Sequence, residues 1–240
     1  MIMKILTFIL LIFFNSFALA DPLKNAIESE IRSDKNVARD VYRHPYETLT
    51  FFGIRPDMTV IELSPGGGWY TEILAHYLKD NGELIAVHFD PSMGDFAKRV
   101  RDNFEKKLAS SSVYDQVKLA SLNSKYSEVE SVDVVVTFRN LHNWIGPNWD
   151  FIIKNSHASL KKGGLLGVVE HRAKEGTSIE NMKKTGYVTE KYAIESIEKL
   201  GFKLIAKSEI NSNPKDTKDH PRGVWTLPPV MRLKELDQDK

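Results

Sequence analysis

One glycine-rich segment constrains the fold of this 240-residue chain more than any other feature. Residues 60–71 read VIELSPGGGWYT. The pattern predicts a buried strand over Thr59–Leu63, a turn through Gly66–Gly68 and a helix over Tyr70–Leu78. In an open α/β sheet, ligands bind at the carboxyl ends of the strands, and glycine lets a backbone approach them closely. The segment therefore favours a ligand-binding turn over a plain tight turn between a strand and a helix.

Strand and helix patterns alternate after this segment, which is typical of a parallel sheet with helices on both faces. Val132–Phe138 is rich in β-branched residues, as a fully buried parallel strand should be. Thr189 and Gly201 are suitable caps for one of the helices. The other expected strands are Glu83–Phe89, Gln116–Ala120 and Leu165–Glu170, and the expected helices are Phe96–Leu108, Asp150–Leu160, which Gly163-Gly164 would end, and Thr189–Leu200.

The last part of the chain shows a different pattern. Phe202–Ile210 and Gly223–Leu227 both read as strands, and only the polar segment Asn211–Pro221 joins them. Strands connected without a helix pair antiparallel. The predicted fold class is therefore α/β: a Rossmann-like doubly wound sheet, mostly parallel, with a C-terminal antiparallel hairpin and with N-terminal helices over residues 21–52.

The N-terminus has the pattern of a secretory signal peptide over residues 1–20. An apolar run, Ile5–Phe14, follows Lys4, and small residues lie at Ala18 and Ala20, just before Asp21. The run is short for a membrane span, although an uncleaved anchor is the alternative interpretation. We therefore expect an exported, periplasmic chain with one domain over residues 21–232 and a charged tail over 233–240, and no membrane association after cleavage.

The composition excludes several functional classes. The chain has 33 basic and 32 acidic side chains, so it lacks the basic footprint of a nucleic-acid-binding protein. It has no cysteine, which excludes disulfides, thiolate catalysis and cysteine zinc sites. His142 and His171 lack the neighbouring histidines of a metal motif, so no metal is expected. The sequence makes no prediction about oligomeric state.

The spacing of the glycines distinguishes between ligand classes. The dinucleotide fingerprint G-x-G-x-x-G does not fit, and the Gly-Lys-Ser/Thr of a P-loop is absent. The pattern Glu-x-Gly-x-Gly-x-Gly does fit from Glu62 to Gly68, with Ser64 in place of the first glycine.

With this spacing, residues 48–227 resemble the class I, seven-strand S-adenosylmethionine-dependent methyltransferases. More narrowly, the chain resembles an exported subgroup of predicted methyltransferases. That narrower resemblance is carried by four segments: Arg43-His44-Pro45, residues 65–71, residues 139–144 (RNLHNW) and His220-Pro221-Arg222-Gly223.

The resemblance implies S-adenosylmethionine as cofactor and gives each cofactor-binding residue an expected role. Glu62 would offset the charge of the methionine part. The acid that binds the ribose hydroxyls at the end of the second strand is replaced by His88, with Asp90 two residues later. Either Asp90 takes this role or ribose recognition is weaker. The expected cofactor-binding residues are Glu62, Ser64, Gly66, Gly67, Gly68, His88 and Asp90.

The family places acceptor contacts after the fourth strand, where RNLHNW lies. His142 is the first candidate for a general base, because the usual pKa of histidine is near neutral. His171 follows the fifth strand and is a second candidate. The alternative is that these polar residues satisfy backbone groups or lie on the surface. The expected catalytic residues are His142, Asn143 and His171, and the expected substrate-binding residues are Arg139, Trp144 and Arg222.

One smaller feature keeps two interpretations open. Arg39, Arg43 and His44 form either part of a lid or anion site, or a solvated helix face.

The function that the sequence favours is methyl transfer from S-adenosylmethionine to a small-molecule acceptor, with Arg139 or Arg222 orienting an anionic group. The alternatives are a non-catalytic exported binding protein on the same fold and a nicotinamide-dependent oxidoreductase.

Overall fold

A computed structural model describes residues 21–234 of the chain. Its sheet has five strands, all parallel, in the order β3-β2-β1-β4-β5. The first and fourth strands occupy the bounds that the sequence predicts. The strands are β1 (Thr59–Leu63), β2 (Glu83–His88), β3 (Lys118–Ser121), β4 (Val132–Phe138) and β5 (Leu160–Val169).

Nine α-helices accompany the sheet within the described residues. Two of their caps follow directly from the sequence: the Asp21 carboxylate accepts from the Leu23 N–H before the first helix, and the Thr189 hydroxyl accepts from the Tyr192 N–H before the last. The helices are α1 (Pro22–Ile27), α2 (Asp34–Val37), α3 (Pro45–Phe51), α4 (Trp69–Leu78), α5 (Asp95–Leu108), α6 (Leu141–Trp144), α7 (Trp149–Ser159), α8 (Ile179–Thr185) and α9 (Glu190–Glu198).

Helices cover both faces of the sheet, as its strand sequences predict. Alternate residues of β1 point to opposite faces. Val60 packs with α1, α3 and α4 in one core cluster, whereas Ile61 and Leu63 pack with α6 and α7 in another. The doubly wound α/β architecture is therefore confirmed.

The strand order reverses between β1 and β4. From β1 the chain runs outward through β2 and β3, and then returns to the other side of β1. A crevice forms at the carboxyl end of such a switch point, where α/β proteins bind ligands. Ser64 and Asn140 lie on its two sides, and the Asn140 side-chain amide donates to the Ser64 carbonyl oxygen over 3.1 Å.

The prediction of a C-terminal antiparallel hairpin was wrong. Residues 202–209 form no strand, and Gly223–Thr226 is a 3-10 turn. Val224 is buried in a small cluster with Ala173 and Tyr187. The residues that the sequence assigned to the second strand of the hairpin therefore pack over the loop after β5.

The helix end predicted at Gly163-Gly164 was also wrong, because both glycines lie within β5. A Cβ on Gly164 would lie 2.9 Å from the Lys161 carbonyl oxygen and 3.1 Å from that of Asp133. Gly164 therefore permits close packing in the strand. The predicted signal peptide (1–20) and most of the predicted tail (235–240) lie outside the described residues. None of the described helices has the length and apolarity needed to span a bilayer.

Candidate functional site

The loop after β1 has the backbone conformation that its glycines permit. Gly66 and Gly68 have φ values of +60° and +78°. Ser64 also has a positive φ, +53°, which explains why glycine is the residue favoured at that position of the pattern. The Ser64 hydroxyl is buried without a hydrogen-bond partner among the described residues. A buried hydroxyl without a protein partner is suited to a polar contact with a ligand.

One side of the loop is open and the other is closely packed. No atom lies within 4 Å of a Cβ built on Gly66 or Gly67. A Cβ on Gly68 would lie 2.8 Å from Cδ of Lys107. The loop therefore rests on α5 at Gly68 and offers free space beside Gly66 and Gly67.

Glu62 lies in β1 under this loop and is 2% exposed. The Thr71 hydroxyl donates to its carboxylate over 2.6 Å. Burial raises the pKa of Glu62 to about 7, while the Thr71 hydrogen bond and the charges of Arg43 and Lys107 act in the opposite direction. A buried carboxylate in this state gains stability from a cationic ligand group beside it.

His88, at the end of β2, is bonded to the glycine loop itself. Its Nδ1 accepts from the Phe89 backbone N–H over 2.8 Å, so Nε2 carries the proton and donates to the Gly66 carbonyl oxygen over 3.2 Å. Burial lowers the pKa of His88 and keeps it neutral. This imidazole therefore supports the loop that the sequence predicts as the cofactor site.

Asp90 lies two residues beyond His88 and is less buried. Its carboxylate accepts from the Ser92 backbone N–H over 2.8 Å. Hydrogen bonds from Ser92 above all, and from Asn123 and Ser121 to a smaller extent, lower its pKa. Asp90 is thus an ionised acceptor beside the ends of β2 and β3.

A polar cluster lies after β4 and β5. The Glu170 carboxylate accepts from the backbone N–H groups of His142 (3.3 Å) and His171 (2.8 Å), and it lies 3.2 Å from Nδ1 of His142. His142 is 7% exposed, and its ring centroid is 6.3 Å from that of His171. Glu170 therefore connects the two histidines that the sequence singled out.

His171 faces a large cavity, of about 1390 Å³, and four arginines line the same cavity: Arg39, Arg43, Arg139 and Arg172. Burial lowers the pKa of His171 well below its ordinary value, and the positive charge of Arg139 acts in the same direction. The ring is therefore neutral at pH 7.

The other predicted site residues lie apart from this cavity. Asn143 and Arg222 are exposed, and Trp144 is 4% exposed within the hydrophobic core. Their catalytic and substrate-binding roles stay predictions. Sequence reasoning did not single out Asn140, although it lay inside a segment that the resemblance quoted. Among residues 21–234, no three His, Cys, Asp or Glu side chains lie close enough together to hold a metal ion.

Residues 61–168 match the family model described as a methyltransferase domain. The match, over somewhat less than half of the chain, indicates a methyltransferase domain and implies S-adenosylmethionine as its cofactor. It includes β2, β3, β4 and the glycine loop, and most of β1 and β5.

Solved structures support the same fold. A SAM-dependent methyltransferase from Aquifex aeolicus is 16% identical, with a TM-score of 0.56, over 78% of this chain and 90% of that one. A putative sarcosine dimethylglycine methyltransferase from Galdieria sulphuraria is 12% identical, with a TM-score of 0.53, over 70% and 61%. The [4+2]-cyclase SpnF is 16% identical, with a TM-score of 0.57, over 77% and 70%. A search of curated proteins gave no match.

The residues of the glycine loop fit this cofactor. The open space beside Gly66 and Gly67 admits a ligand against the backbone, and the unpartnered Ser64 hydroxyl is a free polar contact. Glu62 supplies a buried carboxylate for a cationic group, and Asp90 an ionised acceptor for hydroxyls.

Proposed function

We propose that this chain transfers a methyl group from S-adenosylmethionine to a small-molecule acceptor that enters the cavity lined by His171. The observation that supports the proposal is the position of two sites on either side of the β1/β4 switch point. The glycine loop with Glu62 is on one side, and His171 with Arg139 is on the other.

When bound, S-adenosylmethionine supplies an electrophilic methyl group. Glu62 holds the methionine end by charge, and Asp90 rather than His88 accepts hydrogen bonds from ribose, because the His88 ring is already bonded to Gly66 and Phe89. The Asn140 amide bridges to the Ser64 carbonyl and keeps the acceptor side aligned with the loop. Such alignment is the main catalytic requirement of a direct displacement.

His171 is the better candidate for the general base of the two histidines. It lines the cavity, whereas His142 is more deeply buried beside Glu170. Burial keeps the His171 ring neutral, so it can take the proton that the acceptor atom loses. His142 then acts as a positioning residue, through Glu170 and the His171 backbone.

Calorimetry on residues 21–240 tests the cofactor first. We expect S-adenosylhomocysteine to bind and NADH not to bind. No heat with S-adenosylhomocysteine at millimolar concentration, from a folded sample, would contradict the proposal. Binding of NADH instead would favour the oxidoreductase alternative, which neither the glycine spacing nor the domain match supports.

Transfer itself needs a second experiment, because fold alone does not establish chemistry. SpnF, with the same fold, is a cyclase by its description. A broad acceptor panel with methyl-labelled S-adenosylmethionine should yield labelled product. Tight cofactor binding without transfer to any acceptor would favour the non-catalytic binding protein.

We also propose that the chain is exported and that the mature protein begins at Asp21. This residue caps α1, and its carboxylate also accepts from the Tyr46 hydroxyl over 2.8 Å, so cleavage before it leaves these contacts in place. N-terminal sequencing of material from the periplasm should start at Asp21. An intact Met1 on cytosolic protein would contradict the proposal.

A further inference from the structure

Among the described residues, three of the four guanidinium groups that line the cavity form no salt bridge, although carboxylates such as Glu170 line it as well. Arg39, Arg43 and Arg139 all line it, and Arg139 also donates to the Tyr42 carbonyl oxygen over 3.4 Å. Arg43 packs over the Trp69 ring at 4.7 Å. Its Nε is buried and has no hydrogen-bond partner among residues 21–234.

The positive charges of these arginines act on one another. Burial, followed by the charges of Arg139 and Arg39, lowers the pKa of Arg43 to about 9, so the group is still charged at neutral pH. Burial and Arg139 lower the pKa of Arg39 in the same way. Within the described part of the chain, none of the three forms a salt bridge with a carboxylate.

The two acidic groups nearest to the cluster are already engaged. Glu170 accepts from the backbone N–H groups of His142 and His171. Glu62 accepts from the Thr71 hydroxyl. A set of partly buried like charges without salt-bridge partners is stabilised by an oxyanion, to which a guanidinium donates two parallel hydrogen bonds.

The cavity continues from the arginines along β5, between apolar side chains. Phe52, Leu165, Phe202 and Leu204 are among the residues that line it. Its volume, about 1390 Å³, is larger than the roughly 300–1,000 Å³ of an ordinary small-molecule site. There is room for an extended apolar group beyond the charged end.

We propose that the methyl acceptor is an amphipathic oxyanion, whose carboxylate or phosphate is held by Arg43 and Arg139 while its apolar body lies along β5. The assignment of this ligand as the acceptor rests on the proposed function. The binding site itself does not, so the two can be tested separately.

Equilibrium binding to residues 21–240 tests the site with four probes: dodecanoate, dodecyl phosphate, dodecanol and acetate. We expect the two amphipathic anions to bind at least tenfold more tightly than dodecanol, which lacks the charge, and than acetate, which lacks the apolar body. Equal binding of dodecanol would overturn the role of the arginines. Equal binding of acetate would overturn that of the apolar cavity.

Substitutions distinguish an acceptor site from a cofactor contact. Arg43→Gln and Arg139→Gln should each weaken dodecanoate binding at least tenfold, and Arg139→Gln, whose charge does not act on Glu62, should change the Kd of S-adenosylhomocysteine less than twofold. Arg99→Gln, at an exposed arginine of α5, is the matched control and should change neither. Weaker S-adenosylhomocysteine binding with unchanged dodecanoate binding would overturn the proposal and assign the arginines to the cofactor.

Two further measurements separate the possible failures. Thermal unfolding of each variant identifies a loss of folding, and Arg139→Lys, which keeps the charge, should recover part of the dodecanoate affinity. If wild-type protein binds dodecanoate but not S-adenosylhomocysteine, the methyltransferase function fails and the anion site stands. If it binds only S-adenosylhomocysteine, the anion site fails and the function stands.

Discussion

Nε2 of His88 donates to the carbonyl oxygen of Gly66, and so it joins the end of β2 to the loop after β1. The same ring is stacked on Phe104 of α5, with centroids 4.9 Å apart. An acidic side chain at this position could not donate to that carbonyl. The imidazole at this position therefore has a structural role, and under the proposed function Asp90 is the residue that accepts from ribose.

His88→Ala should loosen the loop and weaken S-adenosylhomocysteine binding. A buried neutral hydrogen bond contributes about 1 kcal/mol, which corresponds to a change in Kd of about fivefold to tenfold. Calorimetry measures the change, with His76→Ala on α4 as the control. Unchanged affinity in the His88 variant would show that the loop holds its shape without the imidazole.

Gly67→Asp should abolish cofactor binding without unfolding the protein. Gly67 does not have a positive φ, and a Cβ at this position would have no atom within 4 Å. A side chain there meets only the space in which the ligand would lie. Gly67→Ala is the intermediate control, with a smaller loss of affinity and an unchanged Tm. A Gly67→Asp protein that still binds S-adenosylhomocysteine would place the ligand elsewhere.

Glu62→Gln should stabilise the ligand-free protein more at pH 8 than at pH 5. The folded-state pKa of Glu62 is about 7 and its ordinary value is 4.5, so the wild-type protein loses stability as the pH rises between these values. The shift corresponds to about 3 kcal/mol, and glutamine does not ionise. Urea unfolding at the two pH values measures the difference.

The ionisation of Glu62 should also change the affinity of the protein for its ligand. If a cationic group binds beside Glu62, affinity for S-adenosylhomocysteine rises with pH up to about 7 and then levels off. Glu62→Gln should remove this dependence, whereas Glu47→Gln, on the exposed side of α3, should keep it. A wild-type affinity that is flat from pH 5 to pH 8 would contradict a charge contact at Glu62.

The sequence predicted the centre of this fold better than its C-terminal edge. β1 and β4 could be read to the residue, because buried parallel strands are continuous apolar runs between clear turn signals. Residues 202–210 have an equally clear alternating pattern and form no strand. Tertiary packing decided the position of their predicted partner, Gly223–Leu227, because Val224 lies against Tyr187 and not beside residues 202–210.

The site shows a similar division. Local pattern located Glu62, the glycines, His88 and the two histidines after β4 and β5. Which atom each contacts depended on the register between strands. His88 reaches Gly66 because β2 lies beside β1, and Glu170 reaches His142 because β5 lies beside β4. The sequence offered Arg43 as part of a lid or an anion site, or of a solvated helix face, and the fold places it in the lining of the cavity that His171 faces.

The final prediction concerns the protonation of His171, which the proposed mechanism requires to be neutral. Burial and the neighbouring charge of Arg139 lower its pKa well below 6.5. The Cε1 proton resonance of His171, assigned by its absence in His171→Gln, should therefore show little change from pH 8 to pH 6.5. Arg139→Gln removes one positive charge and should raise this pKa, whereas Arg99→Gln should not. A His171 resonance that titrates at or above pH 6.5, or that ignores the Arg139 substitution, would separate the ring from the arginines and remove its assignment as the base.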